Sequence, residues 1–218
     1  MAGGEYPFHP IVKLPEEYWV FDFTKPTNTT WQCPFEYQIG RYDEHRPGMY
    51  NTELFGGERD LHVGLDIGAP IDTPVYAFAD GIVFSKGVNP EAGSYGPTII
   101  TEHELELPSS VGSSEFSPRR KFWVLHGHLS TKSLDMVEVG ESFSAGQIIA
   151  TIGHEDENGG WPPHIHIQLS LEQPTVNDLP GVVKLSDRKL ALEKYPDPRL
   201  IVGPVSVSYT HLRAHETG

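Results

Sequence analysis

The sequence is poor in cysteine. Cys33 is the only one among 218 residues. A single thiol excludes an internal disulfide and a zinc site built from several thiolates. A metal site in this chain must therefore use histidine, aspartate or glutamate, and 11 histidines are present.

Basic residues are also few. Lysine and arginine number 16 against 30 aspartates and glutamates, so the formal net charge is -14. A negative field of this size repels phosphate backbones and anionic lipid surfaces. We therefore expect no nucleic-acid partner.

Long apolar runs are missing as well. No stretch has the roughly 18 consecutive apolar residues that a membrane span needs. The first residues, MAGGEYPFHPIVKLPEEYWV, lack the basic segment followed by an apolar segment that marks a secretory signal peptide. We expect no transmembrane segment, and the sequence as written predicts a cytoplasmic chain. The sequence does not indicate an oligomeric state.

Composition divides the chain into four parts. Residues 1–52 are rich in proline and aromatic residues without a sustained period, which predicts an irregular but packed N-terminal arm. Residues 53–175 form the predicted main domain, followed by an extension over 176–205. Residues 206–218 differ in composition and rhythm, so we interpret them as a tail that cloning or assembly could have added, and exclude His211 and His215 from any site.

From Leu54 onward, short β-rich runs alternate with glycine and proline. Seven such runs occur: HVGLDIGA, PVYAFA, GIVFSKG, PTIITEH, KFWVLHGHLS, QIIATIG and HIHIQLSL. Short runs at this spacing are typical of an all-β fold, with a compact antiparallel sandwich or barrel-like core. A small helix is predicted around Ser186 to Lys194.

Two loops stand out between these runs. The segment from Glu104 to Arg120 is long and rich in serine, and we weigh a lid against a disordered insertion equally. The segment from His154 to Pro163 leads into a histidine pair, and we expect it to line a substrate groove. Trp161 in this segment is either a stacking residue or part of ordinary loop packing.

His62 and Asp66 form the first candidate pair for chemistry. On a straight strand two residues four apart lie about 13 Å from each other, which is too far for one metal ion. The chain must bend between them, and Gly64 is the residue that allows a bend or bulge.

His164 and His166 form the second candidate pair. They alternate with Ile165 and Ile167, so a strand would place both imidazoles on one face. A third element, His126-Gly-His128, ends another run. Spacing alone leaves open which of these histidines hold a metal.

The order of these motifs resembles the lysostaphin-type (LytM-like) zinc endopeptidases. The resemblance spans about Arg59 to Leu171 and rests on His62, Gly64 and Asp66, followed in order by TPVYAFADGIV, GHLS at 127–130, VGESFSAGQIIATIG at 139–153, and PHIHIQL at 163–169. It implies a β core of the duplicated hybrid motif type. Members of this family act on bacterial peptidoglycan, usually in the cell envelope.

The resemblance assigns a role to five residues. His62, Asp66 and His166 correspond to the ligands of one Zn²⁺ ion, while His164 and His128 correspond to the two catalytic histidines that do not bind metal. The implied reaction is peptide hydrolysis by zinc-activated water with a histidine as general base. Two positions depart from the family pattern: His126 stands where an aromatic residue is usual, and Asp60 where an arginine is usual.

Two other functions remain open from the sequence. One is a catalytically silent binding or activator module with the same fold. The other is a phosphocarrier, because the VGESFSAGQ pattern also occurs in such domains and His128 and His164 could serve as its histidines. For the N-terminal arm three roles remain open: a cap, a source of a fourth metal ligand in a latent form through His9 or His45, or an accessory segment of a larger protein.

Overall fold

The structure, a computed structural model, describes residues 6–25 and 33–205. The predicted tail, with His211 and His215, lies outside the described residues, and so does Trp31 of the arm.

Strands dominate the described residues. In chain order they are Trp19–Val20 (β1), Gln38–Gly40 (β2), Glu44–His45 (β3), Leu61–His62 (β4), Leu65–Gly68 (β5), Pro74–Tyr76 (β6), Gly81–Asn89 (β7), Gly96–Leu105 (β8), Arg120–Gly127 (β9), Ser142–Phe143 (β10), Ile148–Thr151 (β11), His164–Ser170 (β12) and Val182–Val183 (β13). Each of the seven predicted β-rich runs overlaps one or two of these strands, which confirms the predicted all-β fold.

The strands form three sheets. The largest has the order β1-β2-β5-β12-β9-β8-β7-β10, and the smaller ones have the orders β11-β6 and β13-β4-β3. All neighbouring pairs are antiparallel except β1 and β2, which are parallel. Over the described residues the sheets do not close into a barrel, so the core is an open, sandwich-like arrangement.

Alternation along the central strands gives the large sheet two buried faces. Ile165 and Ile167 of β12 belong to the larger apolar core, together with Val124 of β9. On the opposite face, Ile100 and Leu125 pack in a smaller core. His164 and His166 project toward this second face, because side chains one residue apart on a strand point to opposite sides.

The α-helices of the described residues are short and lie near the C-terminal end of that part of the chain. They are Arg188–Lys194 (α1) and Arg199–Val202 (α2). Three 3-10 turns cover Glu53–Phe55, Thr131–Asp135 and Leu185–Asp187. The helix α1 lies within the segment where a small helix was predicted. Between residues 6 and 205, leaving aside 26–32, no helix has the length and apolar character required to cross a membrane.

The N-terminal arm is irregular over most of its described length, but it is joined closely to the core. Ile11 and Val12 are 1% and 4% exposed and belong to the larger core. Strands β1 and β2 extend the large sheet, and β3 pairs with β4. The arm therefore borders β4 and β5, the strands that carry His62 and Asp66.

The long loop after β8 does not cover the candidate site. Pairing between β8 and β9 continues to Leu105 and Arg120, and beyond it Pro108 and Phe116 form an isolated bridge. The loop therefore continues the hairpin. It leaves the far end of β9, about 23 Å from Gly127 at a rise of about 3.3 Å per residue. The loop is therefore neither a lid over the candidate site nor a disordered insertion, so both predicted alternatives are wrong.

His126 is buried in the larger core, on the same side of β9 as Val124. Its side chain is 1% exposed, its Nδ1 donates a hydrogen bond of 3.3 Å to the carbonyl of Ile99, and its Nε2 has no hydrogen-bond partner among the described residues. Burial lowers the pKa of His126 to about 4. The imidazole is therefore neutral in the folded protein at neutral pH.

Replacement of His126 by phenylalanine should reduce the loss of stability in acid. The unfolded chain protonates this histidine near its ordinary pKa of 6.5, whereas the folded chain does so only near 4. The unfolded state therefore binds more protons as the pH falls through this range, which removes up to about 3 kcal/mol of stability from the wild type. We expect this part of the pH dependence to disappear in the His126→Phe variant when urea unfolding is measured from pH 7 to pH 4.

The control for this prediction is His154→Gln, which changes a largely exposed histidine. Its stability should follow the wild type at every pH. Parallel curves for wild type and His126→Phe would contradict the prediction, whatever the absolute stability of the variant.

Candidate metal centre

The chain changes sheets between His62 and Asp66. His62 ends β4, which belongs to the three-stranded sheet, and Asp66 lies in β5 of the large sheet. The change of direction at Val63 and Gly64 brings Nε2 of His62 to 3.2 Å from Oδ1 of Asp66. The expected bend is present.

Gly64 is required mainly for space. Its φ is not positive, so the backbone conformation there does not itself demand glycine. A Cβ at this position would lie 2.2 Å from Cε1 and 2.4 Å from Nε2 of His166. The absent side chain makes room for the imidazole.

Asp66 and His166 are direct neighbours across two strands. The register pairs Asp66 of β5 with His166 of β12, Gly40 of β2 with Asp66, and Gly127 of β9 with His166. Cross-strand neighbours have Cβ atoms about 5 Å apart, so their side chains meet on one face. Nδ1 of His166 lies 3.0 Å from Oδ1 of Asp66.

Three donor atoms converge at this point. Nε2 of His62 is 3.2 Å from Nδ1 of His166, and both nitrogens are within 3.2 Å of Oδ1 of Asp66. Ligands about 2.05 Å from a tetrahedral zinc ion are about 3.3 Å from each other. The two imidazoles and the carboxylate therefore fit a zinc ion and leave a fourth position for another ligand.

Hydrogen bonds at the outer nitrogens fix which ring atoms face the centre. Nδ1–H of His62 donates to the carbonyl of Arg41 at 2.8 Å, which leaves the Nε2 lone pair inward. Nε2–H of His166 donates to Oε1 of Gln168 at 3.2 Å, which leaves the Nδ1 lone pair inward. Such outer partners orient metal-binding imidazoles and set their tautomers.

The carboxylate of Asp66 is charged although it lies within the protein. Burial alone would raise its pKa, but the Arg46 guanidinium in contact with Oδ2 more than offsets this effect and holds the pKa of Asp66 well below its usual range. Burial, with a contribution from Arg46, lowers the pKa of His62 to about 4. The donor set is thus two imidazoles, with His62 neutral, and one anion, which suits a divalent cation.

His128 and His164 lie beside the three donors. Their ring centroids are 4.2 Å apart, and Nε2 of His164 is 3.9 Å from Oδ1 of Asp66. Nδ1–H of His128 donates to the carbonyl of Asn158 at 2.7 Å, and Nδ1–H of His164 donates to the carbonyl of Pro162 at 2.7 Å. Each ring therefore keeps the lone pair of Nε2 available.

Burial lowers the pKa of both histidines. The pKa of His128 is well below its ordinary value, with a further contribution from His164, and the pKa of His164 is also lowered. Both rings are therefore neutral at neutral pH, the state in which Nε2 can accept a proton.

The remaining candidate histidines lie elsewhere. His126 faces the larger core. It is on the other side of the sheet from its neighbour His128, which follows the end of β9 and has a φ of 61°, so that the side-chain alternation of the strand does not extend to it. Nε2 of His45 is bound to Oδ2 of Asp60 at 2.8 Å, and the His9 ring packs against Tyr76. Among the described residues, His62, Asp66 and His166 form the one group of three possible ligands.

A cleft of about 730 Å³ opens over the centre. The end of the loop from His154 to Pro163, which was expected to line a groove, does so through residues 161–163. The arm side of the cleft includes Trp19, Phe21, Phe23, Met49 and Tyr50, with Phe55 just after the arm, and the loop side includes Trp161, Pro162 and Pro163. The three candidate ligands therefore lie in a largely apolar and aromatic groove.

Several residues at the site were not predicted from the sequence. Gln168 could have been found, because it lies two residues after His166 on the same strand face. The carbonyls of Arg41, Asn158 and Pro162 leave no signal in side-chain identity. Arg46 comes from a separate part of the chain, and the pairings of β2 with β5 and of β3 with β4 bring it near Asp66.

Two imidazoles and a carboxylate with an open fourth position are the donor set of a mononuclear metallohydrolase site. Residues 60–178, more than half of the chain, match the sequence model of peptidase family M23, and the chain belongs to this family. The resemblance to lysostaphin-type peptidases is thereby confirmed.

Two curated relatives act on peptidoglycan or peptides according to their names. The DD-carboxypeptidase/endopeptidase Mpg of Neisseria meningitidis is 28% identical over 117 residues, which cover 54% of this chain and 22% of that protein. The peptidoglycan DD-endopeptidase ShyA of Vibrio cholerae is 28% identical over 125 residues, which cover 57% of this chain and 24% of that protein. The chain thus matches about a quarter of each relative's length.

Among solved structures, the catalytic domain of lysostaphin from Staphylococcus simulans is similar to this chain. It is 22% identical, with a TM-score of 0.41, and the match covers 71% of this chain and 92% of that domain.

Substitution of Gly64 by valine should weaken metal binding at this centre. The new side chain would occupy the position of the His166 imidazole and displace Nδ1 from the other two donors. We expect a loss of zinc affinity of about 10-fold or more, measured by competition with a chelator.

A suitable control is Gly87→Ala in β7, where the nearest atom to a new Cβ is Nδ2 of Asn177 at 3.3 Å. This variant should bind zinc like the wild type. Unchanged affinity in Gly64→Val would show that His166 is not needed where the structure places it.

Proposed function

We propose that this chain is a zinc-dependent endopeptidase that hydrolyses peptide bonds in peptidoglycan. In this proposal His62, Asp66 and His166 hold one Zn²⁺ ion, and His128 and His164 are the catalytic histidines. The observation that carries the proposal is the convergence of three donor atoms within 3.2 Å of one another, beside two neutral imidazoles.

The imidazoles of His128 and His164, which are not among the proposed metal ligands, support hydrolysis rather than metal storage alone. A storage site needs no further titratable groups, whereas hydrolysis needs proton transfer to and from the reacting atoms. Nε2 of His164 and Nε2 of His128 point into the cleft because their Nδ1–H groups are bound to loop carbonyls. When bound, zinc supplies a Lewis acid that polarises a peptide carbonyl and acidifies a water molecule.

The chain's own residues would then move the protons. One of the two histidines takes a proton from the attacking water at Nε2, and the other stabilises the developing oxyanion or protonates the leaving amine. Asp66 offsets part of the metal charge. The carbonyls of Asn158 and Pro162 keep both imidazoles in the required tautomer during the reaction.

The substrate proposal draws on the family and on the two relatives. Both relatives carry names of peptidoglycan or peptide hydrolysis. The cleft is open and lined on two sides, as an extended peptide requires. The net charge of -14 does not favour nucleic acid as the alternative polymer.

Purified protein loaded with zinc should release new amino groups from peptidoglycan. Replacement of His128 or His164 by alanine should lower kcat by about 10²- to 10⁴-fold while one equivalent of zinc stays bound. Replacement of His62 or His166 by alanine should remove both zinc and activity. Metal analysis and an assay for released amines check these outcomes.

The control variant is His9→Gln, which changes a histidine outside the cleft and should keep both zinc and activity. Stoichiometric zinc without any release of amines would favour the silent binding module. Phosphate transfer to His164 in metal-free protein would favour the phosphocarrier. Failure of the wild type to bind zinc would contradict the proposed centre itself.

A further inference from the structure

We propose that Arg46, from the N-terminal arm, is a positioning residue of the metal centre. Its guanidinium holds Oδ2 of Asp66, so that Oδ1 alone is offered to the metal, and the buried Glu44 carboxylate balances its charge. This inference rests on the proposed zinc site and extends it to the arm, which lies outside the part of the chain that matches the family.

The Arg46 side chain is held on several sides at once. It is 3% exposed, and Nη1 donates hydrogen bonds to Oδ2 of Asp66 at 2.8 Å and to the Tyr50 hydroxyl at 2.9 Å. Nε donates to Oε2 of Glu44 at 2.9 Å, and Nη2 to the carbonyl of Arg41 at 3.2 Å. A planar guanidinium with this many partners has a fixed orientation, which lysine could not reproduce.

The two oxygens of Asp66 thus have separate tasks. Oδ1 lies 3.0 Å from Nδ1 of His166 and 3.2 Å from Nε2 of His62, at the point where the donors converge. Oδ2 points away and is occupied by Arg46. A carboxylate held in this way would offer a metal one oxygen only, which would favour a low coordination number and leave a position for water and substrate.

Glu44 prevents Arg46 from repelling the metal. A lone positive charge beside the centre would disfavour a cation. The Glu44 side chain is 2% exposed, and its Oε2 accepts from Nε of Arg46, whereas Asp66 accepts from Nη1. Its other oxygen, Oε1, accepts hydrogen bonds from Nε of Arg41 at 2.8 Å and from the backbone N–H of Phe23 at 3.1 Å. The Arg46–Glu44 pair is neutral in sum and fixed in place.

The local backbone leaves room for this arrangement. A Cβ at Gly40, the cross-strand neighbour of Asp66, would lie 2.7 Å from Oδ2 of Asp66 and 2.8 Å from Nη2 of Arg46. The same arm segment supplies the Arg41 carbonyl that accepts Nδ1–H of His62. Two of the three proposed ligands are therefore oriented by residues 41–46.

Two changes test the role of Arg46. Arg46→Lys keeps the positive charge but loses the fork that joins Asp66 and Glu44. The double variant Arg46→Met with Glu44→Gln removes both charges of the Arg46–Glu44 pair, so that Glu44 is not left as an unpaired buried carboxylate while Asp66 loses the contact under test. In both we expect the zinc affinity, measured by chelator competition, to fall by about 10- to 100-fold. The visible absorption of the Co²⁺-substituted protein should weaken as the carboxylate becomes free to bind through both oxygens.

The matched control is Arg188→Met. Arg188 donates from Nε to Oδ1 of Asp43 at 2.7 Å, so it also ties the arm to the body of the protein, but it does not contact the metal centre. Its zinc affinity and Co²⁺ spectrum should equal those of the wild type. Urea unfolding of the zinc-free proteins separates a loss of fold from a loss of metal binding.

Each outcome decides between the two proposals. The positioning role is supported if the wild type binds zinc, both Arg46 variants bind it more weakly, and Arg188→Met binds it as tightly as the wild type. If both Arg46 variants bind zinc as tightly as the wild type, this inference alone is overturned. It is also overturned if Arg188→Met loses as much zinc affinity as the Arg46 variants, because the loss would then come from weaker docking of the arm. A wild type that binds no zinc overturns the proposed metal centre and the inference with it.

Discussion

The side-by-side pairing of Asp66 and His166 in neighbouring strands is the constraint on which the candidate centre depends. Antiparallel register places both side chains on one face of the large sheet, and the change of sheet at Val63 and Gly64 then adds His62. A slip of one residue in β12 would turn both imidazoles of that strand toward the apolar core. The buried Ile165 and Ile167 oppose such a slip, because they would then face the cleft.

Small residues beside this pair allow larger ones to reach it. Gly40 and Gly127 flank Asp66 and His166 in the same cross-strand row. Arg46 fills the space at Gly40, and a Cβ at Gly127 would lie 2.6 Å from the Tyr95 ring, which packs against both His166 and His128. The sheet provides the donors, while the arm and the loops provide the groups that orient them.

Local pattern predicted the strands well, because each β-rich run carries its own alternation and its own glycine or proline breaks. The bend between His62 and Asp66 also followed from distance alone. The assignment of His166 rather than His164 as the metal-facing member of its pair came from family resemblance, since both share a strand face. Arg46, Arg41 and Asn158 could not be found in this way, because their roles depend on pairing between distant segments and on backbone carbonyls. The position of the loop after β8 depended on the register of the hairpin, which loop composition does not reveal.

The distance along the chain between the ligands has a consequence for folding. Asp66 and His166 are separated by 100 residues, yet they touch. Contacts of such high sequence separation form late, because the entropy of loop closure must be overcome before they contribute to stability. The metal centre is therefore complete only when β5 has paired with β12. A newly made chain would therefore begin to fold with these donors apart, and the proposed metal site would form only when β5 and β12 pair.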